Sequence, residues 1–211
     1  MTVIKGIDVS KHNGKINWSK VKDSGIKFVI IRAGYGSNTI DERFEEYIRG
    51  AIKEKIDVGI YWFSYATNEE KAKLEAKKCM EVIKPYKEHI IYPVFYDFEY
   101  DSVDYAKKNG VNISKTLLKS MATSFCEHLE KNGFYAGIYT NEDYIKNKYP
   151  SEIFDRFDLW YARYNTEPNR DVNLWQKSST GKISGINGNV DLDVAYIDFP
   201  SLMKEKHLNG W

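Results

Sequence analysis

The sequence is poor in the residues that build crosslinks and metal sites. It has 2 cysteines in 211 residues, so no disulfide framework is predicted. Cys79 and Cys126 both fall in stretches with helical apolar spacing, and we expect two buried free thiols. The 4 histidines are scattered, and no His or Cys pair has the spacing of metal ligands. We therefore predict no metal and no other cofactor.

The chain also lacks an excess of charge of either sign. It has 31 Lys and Arg against 30 Asp and Glu, which gives a formal net charge of +1. This balance provides no electrostatic reason to expect nucleic acid or an anionic membrane as the partner. Hydrophobic residues make up 42% and charged residues 29%, as in ordinary globular proteins. We therefore expect no nucleic-acid binding and no membrane insertion.

Signals for export, phosphate binding and nucleophilic triads are missing as well. Met1 to Ser10 has no charged segment followed by an apolar run, so the sequence predicts no secretory signal peptide. Gly34-Tyr35-Gly36 is too short to be a glycine-rich phosphate loop. No serine or cysteine lies in a nucleophile motif, and no internal repeat is found.

Aromatic residues, in contrast, are abundant, with 16 Tyr, 10 Phe and 5 Trp. Large rings fill cores, but they also stack on the faces of sugars, and we give the two interpretations equal weight for each ring. The candidate sugar-binding rings, on the predicted third strand and near the ends of later ones, are Tyr61, Phe63, Tyr65, Tyr139, Tyr161 and Trp175. Gln176 and Arg163 are candidate hydrogen-bond donors to acetamido or carboxylate groups, although Arg163 can equally pair with a neighbouring acid.

Apolar segments alternate with amphipathic ones, a pattern that predicts a parallel sheet buried on both faces. Strands are predicted at 6–10, 28–34, 58–65, 90–99, 135–140, 159–164, 173–177 and 190–196. Helices are predicted at 17–24, 42–54, 69–84, 115–132 and 142–148. This order favours a single α/β domain over residues 1–200, folded as a TIM-like β/α barrel of eight strands with an irregular, helix-poor second half. Residues 201–211 are charged and aperiodic, and are predicted to be a tail or the start of a linker.

Acidic residues mark the end of the fourth predicted strand. Asp97 and Glu99 follow a buried apolar run at positions i and i+2, so both side chains share a face with Cα atoms roughly 6.6 Å apart. Reactive groups of β/α barrels gather at this end of the strands. The alternative, that both acids are merely solvated where the strand ends, is equally compatible with this motif taken alone.

Further acids lie on the first and last predicted strands, which are neighbours in a closed barrel. Asp8 ends the first, and Asp191 and Asp193 lie in the last. Crowded carboxyls raise the pKa of at least one of them, which produces a general acid. Glycoside hydrolysis needs such an acid and a second carboxyl. Our hypothesis is that Glu99 donates the proton, while Asp97 stays ionised and either supports the developing positive charge or orients an acetamido group of the substrate.

Six short motifs in order along the chain resemble those of family 25 glycoside hydrolases. They are Gly6-Ile7-Asp8-Val9-Ser10, Tyr96-Asp97-Phe98-Glu99, Gly137-Ile138-Tyr139-Thr140, Leu159-Trp160-Tyr161-Ala162-Arg163, Leu174-Trp175-Gln176 and Gly188-Asn189-Val190-Asp191. The resemblance implies a muramidase-type lysozyme that cuts the β-1,4 bond between N-acetylmuramic acid and N-acetylglucosamine in peptidoglycan, with net retention. It also implies an acidic set of Asp8, Asp97, Glu99 and Asp191, with Glu99 as proton donor, and it favours Gln176 as a substrate contact. Assistance by the substrate's acetamido group is suggested, and a direct aspartyl nucleophile stays open.

Many members of the family are phage endolysins, which lack signal peptides and often carry a wall-binding module after the catalytic domain. The resemblance therefore implies an endolysin-like catalytic domain that acts on peptidoglycan glycan strands. It would be made in the cytoplasm and act on the cell wall after release, with a C-terminal wall-binding module outside this chain. A chitinase-like hydrolase is a rival, but it would require carboxylates where Tyr92 and Phe95 stand. A catalytically silent glycan-binding barrel is a second rival, which the presence of both Asp97 and Glu99 disfavours.

Overall fold

The computed structural model describes residues 3–210. The strands are β1 (Ile4–Val9), β2 (Phe28–Tyr35), β3 (Thr39–Ile40), β4 (Asp57–Phe63), β5 (Ile90–Asp97), β6 (Ala136–Asn141), β7 (Asp158–Ala162), β8 (Leu174–Gly181) and β9 (Val190–Ala195). The α-helices are α1 (Trp18–Asp23), α2 (Phe44–Lys53), α3 (Glu69–Ile83), α4 (Tyr100–Lys108), α5 (Lys115–Glu130), α6 (Glu142–Asn147) and α7 (Phe199–Glu205). Short 3-10 helices lie at Lys11–Asn13, Lys84–His89 and Ser151–Asp155.

Eight of these strands close into a barrel in the order β1-β9-β8-β7-β6-β5-β4-β2, with β2 pairing back to β1. The pairings among β1, β2, β4, β5, β6, β7 and β8 are parallel, whereas β9 runs antiparallel to both β8 and β1. The predicted eight-stranded barrel is therefore confirmed. The two-residue strand β3, which pairs antiparallel with β2 outside the barrel, was not predicted, nor was the reversed direction of β9.

Helices cover the first part of the barrel and become sparse after β6, as the sequence predicted. The connections from β7 to β8 and from β8 to β9 contain no helix. The predicted helices are present, and α4 and α7 are additional ones. Helix α4 was missed because its sequence is polar, with Val103 and Ala106 as its aliphatic positions, so its apolar stripe is weak. No helix within residues 3–210 is both long and apolar enough to cross a lipid bilayer.

The alternation of side chains along the strands builds two hydrophobic layers. Residues such as Val29 and Ile31 pack outward against the helices, and Cys79 and Cys126 lie in this layer as buried free thiols, as predicted. The inner layer fills the barrel largely with rings, and Phe28 stacks on Tyr92 with centroids 4.5 Å apart. Further rings lie in the outer layer, so much of the aromatic excess serves the two layers of the core.

The segment after residue 200 packs against the barrel. Phe199 and Met203, one turn apart in α7, are fully buried in the inner layer. Asn209 is also buried, and its side chain bonds the Tyr135 amide and the Ile90 carbonyl, each at 2.8 Å. The predicted division at residue 200 thus cuts through α7. It places Phe199 and Met203, the two buried apolar residues of this helix, on opposite sides of the division. Within the predicted tail, Trp211 lies outside the described residues.

Candidate active site

A cavity of about 190 Å³ opens at the end of the barrel where the parallel strands finish. Its lining residues are Asp8, Tyr61, Asp97, Glu99, Tyr139, Trp160, Tyr164, Gln176 and Asp191. All four acids of the predicted set therefore meet in one cavity, together with the predicted residues Tyr61, Tyr139 and Gln176. Trp160 and Tyr164 were not predicted.

The junction of β1 and β9 brings two of these acids together. Asp8 lies directly opposite Asp191 in the antiparallel register. Because β9 runs in reverse, its second residue lies at the same end of the barrel as the end of β1. A parallel strand would have carried Asp191 to the opposite end, so the reversal of β9 is what brings it into the cavity. We refer to Asp8, Asp191 and Asp193 as the seam acids.

Asp97 and Glu99, referred to below as the β5 pair, enter the cavity from the opposite side. Asp97 is the last residue of β5 and is only 3% exposed. Glu99 immediately precedes α4, and its backbone N–H donates to the hydroxyl of Ser102 at 3.1 Å, which fixes the start of that helix. Glu99 is half-buried. Of the two, Glu99 is thus the acid that solvent and substrate can reach more easily.

Burial dominates the protonation of the β5 pair. It raises the pKa of Asp97 well above its usual value, the charge of Glu99 acts in the same direction, and Arg32 acts against both. Burial, with the charges of Asp101 and Asp191, raises the pKa of Glu99 to about 7. The pair therefore holds at least one proton near neutral pH. The expectation that Asp97 stays ionised does not agree with its raised pKa in the free protein. The reason is that the end of β5 is more deeply buried than the sequence suggested.

A directed hydrogen-bond network holds the seam side of the cavity. Gln176 donates from Nε2 to Asp8 Oδ2 at 2.7 Å, and its Oε1 accepts from the hydroxyls of Tyr139 and Tyr164 at 2.9 and 2.8 Å. The amide of Gln176 is therefore fixed in one orientation. Both tyrosines act on Asp8 through this amide rather than directly.

Asp193 extends the network into the barrel interior. It is 1% exposed, accepts from Trp160 Nε1 at 2.8 Å and is hydrogen-bonded to the carboxyl of Asp8. Burial raises the pKa of Asp193 to about 8 and that of Asp191 to about 6. Burial, followed by the charges of Asp193 and Asp191, also raises the pKa of Asp8. Two carboxyls can share a hydrogen bond only through a proton, so the Asp8–Asp193 contact requires one of them to be neutral.

Two predicted sugar-binding rings point away from the cavity. Tyr161 is fully buried with Ile145 and Leu159, and its hydroxyl donates to Asn169 Oδ1 at 3.1 Å. Trp175 is also buried, and its Nε1 donates to the carbonyl of Arg163 at 2.8 Å. Neither ring lines the cavity, because alternation along β7 and β8 turns their neighbours inward instead. Trp160 and Gln176 occupy those inward positions.

Tyr65 and Arg163 lie beside the cavity rather than in it. Tyr65 lines a separate groove of about 800 Å³, where its ring packs against Phe63 and Tyr105 with centroids 5.2 and 5.1 Å away. It was assigned to the cavity by extending β4 to residue 65, whereas the strand ends at Phe63. Arg163 Nη1 lies 3.5 Å from Glu142, which supports its pairing with an acid.

The chemistry available in the cavity is that of carboxyl groups, with the buried residues Tyr61 and Trp160 at its border. Glu99 can deliver a proton, and Asp97 can become ionised beside a developing positive charge. Within residues 3–210, no group of three His, Cys, Asp or Glu side chains is arranged to hold a metal ion. These properties match the needs of glycoside hydrolysis.

Comparison with known proteins agrees with this chemistry. The sequence profile of glycosyl hydrolases family 25 matches residues 7–186. The autolytic lysozyme of Clostridium acetobutylicum is 26% identical over 199 residues, which cover 90% of this chain and 55% of that protein. The chain thus spans about half the length of this relative.

Solved structures of related proteins share the fold. The family 25 glycosyl hydrolase of Bacillus anthracis aligns with a TM-score of 0.79 at 26% identity, over 98% of this chain and 93% of the other. The modular autolysin LytC of Streptococcus pneumoniae aligns with a TM-score of 0.80 at 27% identity, over 92% of this chain and 47% of the other. The profile match covers most of the chain and includes three of the four acids at the cavity, Asp8, Asp97 and Glu99. The chain belongs to glycosyl hydrolase family 25.

Proposed function

We propose that the protein is a muramidase that cleaves the β-1,4 bond between N-acetylmuramic acid and N-acetylglucosamine in peptidoglycan, with net retention of configuration. The observation that carries the proposal is the convergence of the β5 pair with Asp8 and Asp191 around one cavity. The names of relatives support the choice of substrate, since two of the matching proteins are called lysozymes. Family membership supports glycoside hydrolysis as the reaction class.

Glu99 is the proposed proton donor to the leaving oxygen. It lines the cavity, is more exposed than Asp97, and has its pKa raised to about 7, so it is protonated in about half of the molecules at neutral pH and in most of them at lower pH. A general acid works best when its pKa lies near the operating pH. The position of Glu99 at the start of α4, fixed by the Ser102 hydrogen bond, holds this acid at the rim of the cavity.

Asp97 is the proposed assisting carboxyl. It shares a proton with Glu99 in the free protein, and a positive charge developing at the anomeric carbon favours the state in which Asp97 is ionised and the proton resides on Glu99. Its Oδ1 atom is buried without a hydrogen-bond partner in residues 3–210, so this oxygen is free to meet a substrate group. In the substrate-assisted route that group is the acetamido N–H, and in the direct route it is the anomeric carbon itself. A stable oxazoline mimic that binds tightly would favour the first route.

Glu99→Gln tests the proposal directly. The variant keeps the shape and hydrogen-bonding capacity of the side chain but cannot donate the proton, so we expect the rate of clearing of a cell-wall suspension to fall about 10²–10⁴-fold. Mass analysis of the wild-type products should show muramic acid at the new reducing end. Glu70→Gln, on the exposed surface of α3, is the matched control and should retain full activity.

Three outcomes would contradict different parts of the proposal. Wild-type rates in Glu99→Gln would remove Glu99 from the role of proton donor. Products with N-acetylglucosamine at the new reducing end would show that the protein cleaves the other glycosidic bond of the glycan strand and is not a muramidase. Glycan binding by the wild-type protein without any cleavage would indicate a silent carbohydrate-binding barrel.

A further inference from the structure

Helix α3 contains a buried acid that takes no part in the cavity. Glu75 is 1% exposed and belongs to the same buried stripe as Ala72, Ala76 and Cys79. Within residues 3–210 it has no cationic group within ion-pair distance, although the charge of Lys71 acts on it. Asp41, a comparably buried acid, is paired with Arg32 at 2.7 Å. A buried and unpaired carboxyl is destabilising, and an apolar side chain of similar volume would pack at least as well, so packing alone does not explain Glu75.

Both carboxylate oxygens of Glu75 are used on two consecutive residues just beyond β4. Oε2 accepts from the hydroxyl of Ser64 at 2.5 Å, and Oε1 accepts from the backbone N–H of Tyr65 at 2.9 Å. Phe63 is the last residue of the strand, so this segment has left the regular β-ladder. Glu75 therefore fixes the path of the chain where it leaves the barrel at the cavity end.

The anchored segment is joined in turn to the catalytic strand. The backbone N–H of Ser64 donates to the carbonyl of Asp97 at 2.7 Å, and its hydroxyl oxygen lies 3.1 Å from the hydroxyl of Tyr96. Tyr96 and Asp97 are the last two residues of β5. A continuous set of hydrogen bonds thus runs from α3 through Ser64 to the residue that carries one of the two reactive carboxyls.

The same carboxylate sets the position of the Tyr65 ring. That ring lines the neighbouring groove and packs against Tyr35 and Tyr105, with centroids 6.4 and 5.1 Å away. A displacement of the Ser64–Tyr65 backbone would therefore move both the end of β5 and this ring. Misplacement of a reactive group by about 1 Å is enough to reduce a rate by about 10²-fold.

We propose that Glu75 is a positioning residue for hydrolysis, which acts through Ser64 and Tyr65 to hold the end of β5, and with it Asp97, in the geometry that the reaction needs. The inference rests on the proposed function, and it assigns no contact between Glu75 and the substrate. The groups that face its carboxyl are Lys71 and Cys79 from α3, Tyr96 from β5 and the Ser64–Tyr65 segment.

The test compares Glu75→Leu with Glu75→Gln. Leucine removes both acceptors, and we expect kcat for peptidoglycan to fall about 10- to 100-fold with a smaller change in KM. Glutamine can accept from the Tyr65 amide through Oε1 and donate to the Ser64 hydroxyl through Nε2, so it should recover most of the lost rate. Cys79→Ala is the matched control, because it perturbs the same buried stripe without a hydrogen bond to either residue within 3–210 and should keep the wild-type kcat.

A milder variant keeps the test valid if Glu75→Leu does not fold. Ser64→Ala removes the hydroxyl that donates to Glu75 Oε2, so it should lower kcat by itself, and wild-type kcat in this variant would contradict the proposal. Where Glu75→Leu folds, the effects of Ser64→Ala and Glu75→Leu on kcat should not add in a double-mutant cycle, since both changes break the same contact. Wild-type kcat in Glu75→Leu, additive effects in the cycle, or a kcat loss in Cys79→Ala equal to that of Glu75→Leu would overturn the proposal. So would a failure of glutamine to rescue.

Amide hydrogen exchange separates this proposal from the proposed function. Loss of Glu75 should accelerate exchange of the Tyr65 amide whatever reaction the protein catalyses. If the wild-type protein does not cleave peptidoglycan but the Tyr65 amide is deprotected in Glu75→Leu, the proposed function fails while the anchoring contact stands. Unchanged protection of Tyr65 in a folded Glu75→Leu variant would contradict the anchoring itself.

Discussion

The two sides of the cavity hold their acids in different ways. On the seam side, Asp8 accepts an amide N–H from Gln176 and Asp193 accepts the indole N–H of Trp160. On the other side, Asp97 Oδ1 has no partner among residues 3–210. Within the described part of the chain, Asp193 Oδ2 is also buried without a partner other than the carboxyl of Asp8, but Asp193 does not line the cavity, whereas Asp97 does. Fixed hydrogen bonds on one side and an unsatisfied oxygen of a cavity-lining acid on the other indicate different roles. We infer that the seam acids shape the cavity, whereas the β5 pair takes part in the reaction.

Asp97→Asn should produce the largest effect among the substitutions that compare the two sides. The variant is isosteric but cannot become an anion, so stabilisation of the developing positive charge is lost and kcat should fall about 10²–10³-fold. The pKa of Asp97 is raised by burial, so the neutral amide resembles its resting state and Tm should change little. Steady-state kinetics and thermal unfolding of the same preparation provide the measurement. A large loss of Tm with only a small loss of kcat would place Asp97 with the structural acids.

Asp193→Asn is the corresponding change on the seam side, and we expect it to act on stability more than on rate. Burial raises the pKa of Asp193 to about 8 in the folded protein, against about 3.9 in an unfolded chain. The folded state therefore favours the proton, and the stabilisation from this group is complete below about pH 4 and is lost as pH rises through 8. Asparagine does not titrate, so the variant should gain stability relative to wild type across this interval.

Thermal unfolding of wild type and Asp193→Asn from pH 4 to 9 measures that difference. The two curves of Tm against pH should diverge as pH rises and become parallel above about 8, while kcat at pH 6 stays within about one order of magnitude of wild type, as expected for a change in one hydrogen bond. Parallel curves throughout would show that Asp193 does not carry the buried proton. A loss of kcat as large as that of Asp97→Asn would remove the distinction between the two sides.

The sequence predicted the barrel and the meeting of the acids because both depend on strong, local signals. Apolar strands of regular spacing predict a sheet buried on both faces. Acids at the ends of these strands then lie together at one end of the barrel. The direction of β9 was not predictable in this way. A buried strand has the same apolar pattern whether it runs parallel or antiparallel to its neighbours. Asp191 lies at the cavity because β9 is reversed. The sequence thus predicted the position of Asp191 but not the strand direction that produces it.

Two finer expectations, the orientation of individual rings and the protonation of Asp97, were not met. The first depends on strand register and the second on the exclusion of water. Tyr161 and Trp175 are one residue out of phase with the inward positions, and a shift of one residue reverses the face of a strand. The protonation of Asp97 depends on how far the end of β5 is buried, and this burial is set by tertiary packing, to which segments remote in sequence such as Ser64–Tyr65 contribute. Composition and spacing do not contain that information.

A pair of tyrosine variants gives the smallest expected effect and tests the assignment of inward and outward faces. Tyr139→Phe removes one of the two hydroxyls that orient Gln176, and the loss of one such hydrogen bond, about 0.5–1.5 kcal/mol, should reduce kcat/KM a few-fold. Tyr161→Phe removes a hydroxyl bonded to Asn169 outside the barrel and should leave kcat/KM unchanged while lowering Tm slightly. Both changes delete a single oxygen from a buried ring, so the location of that oxygen is the main difference between them. If Tyr161→Phe reduced kcat/KM more than Tyr139→Phe, the outward orientation of Tyr161 and the role of the Gln176 network in holding Asp8 would both be wrong.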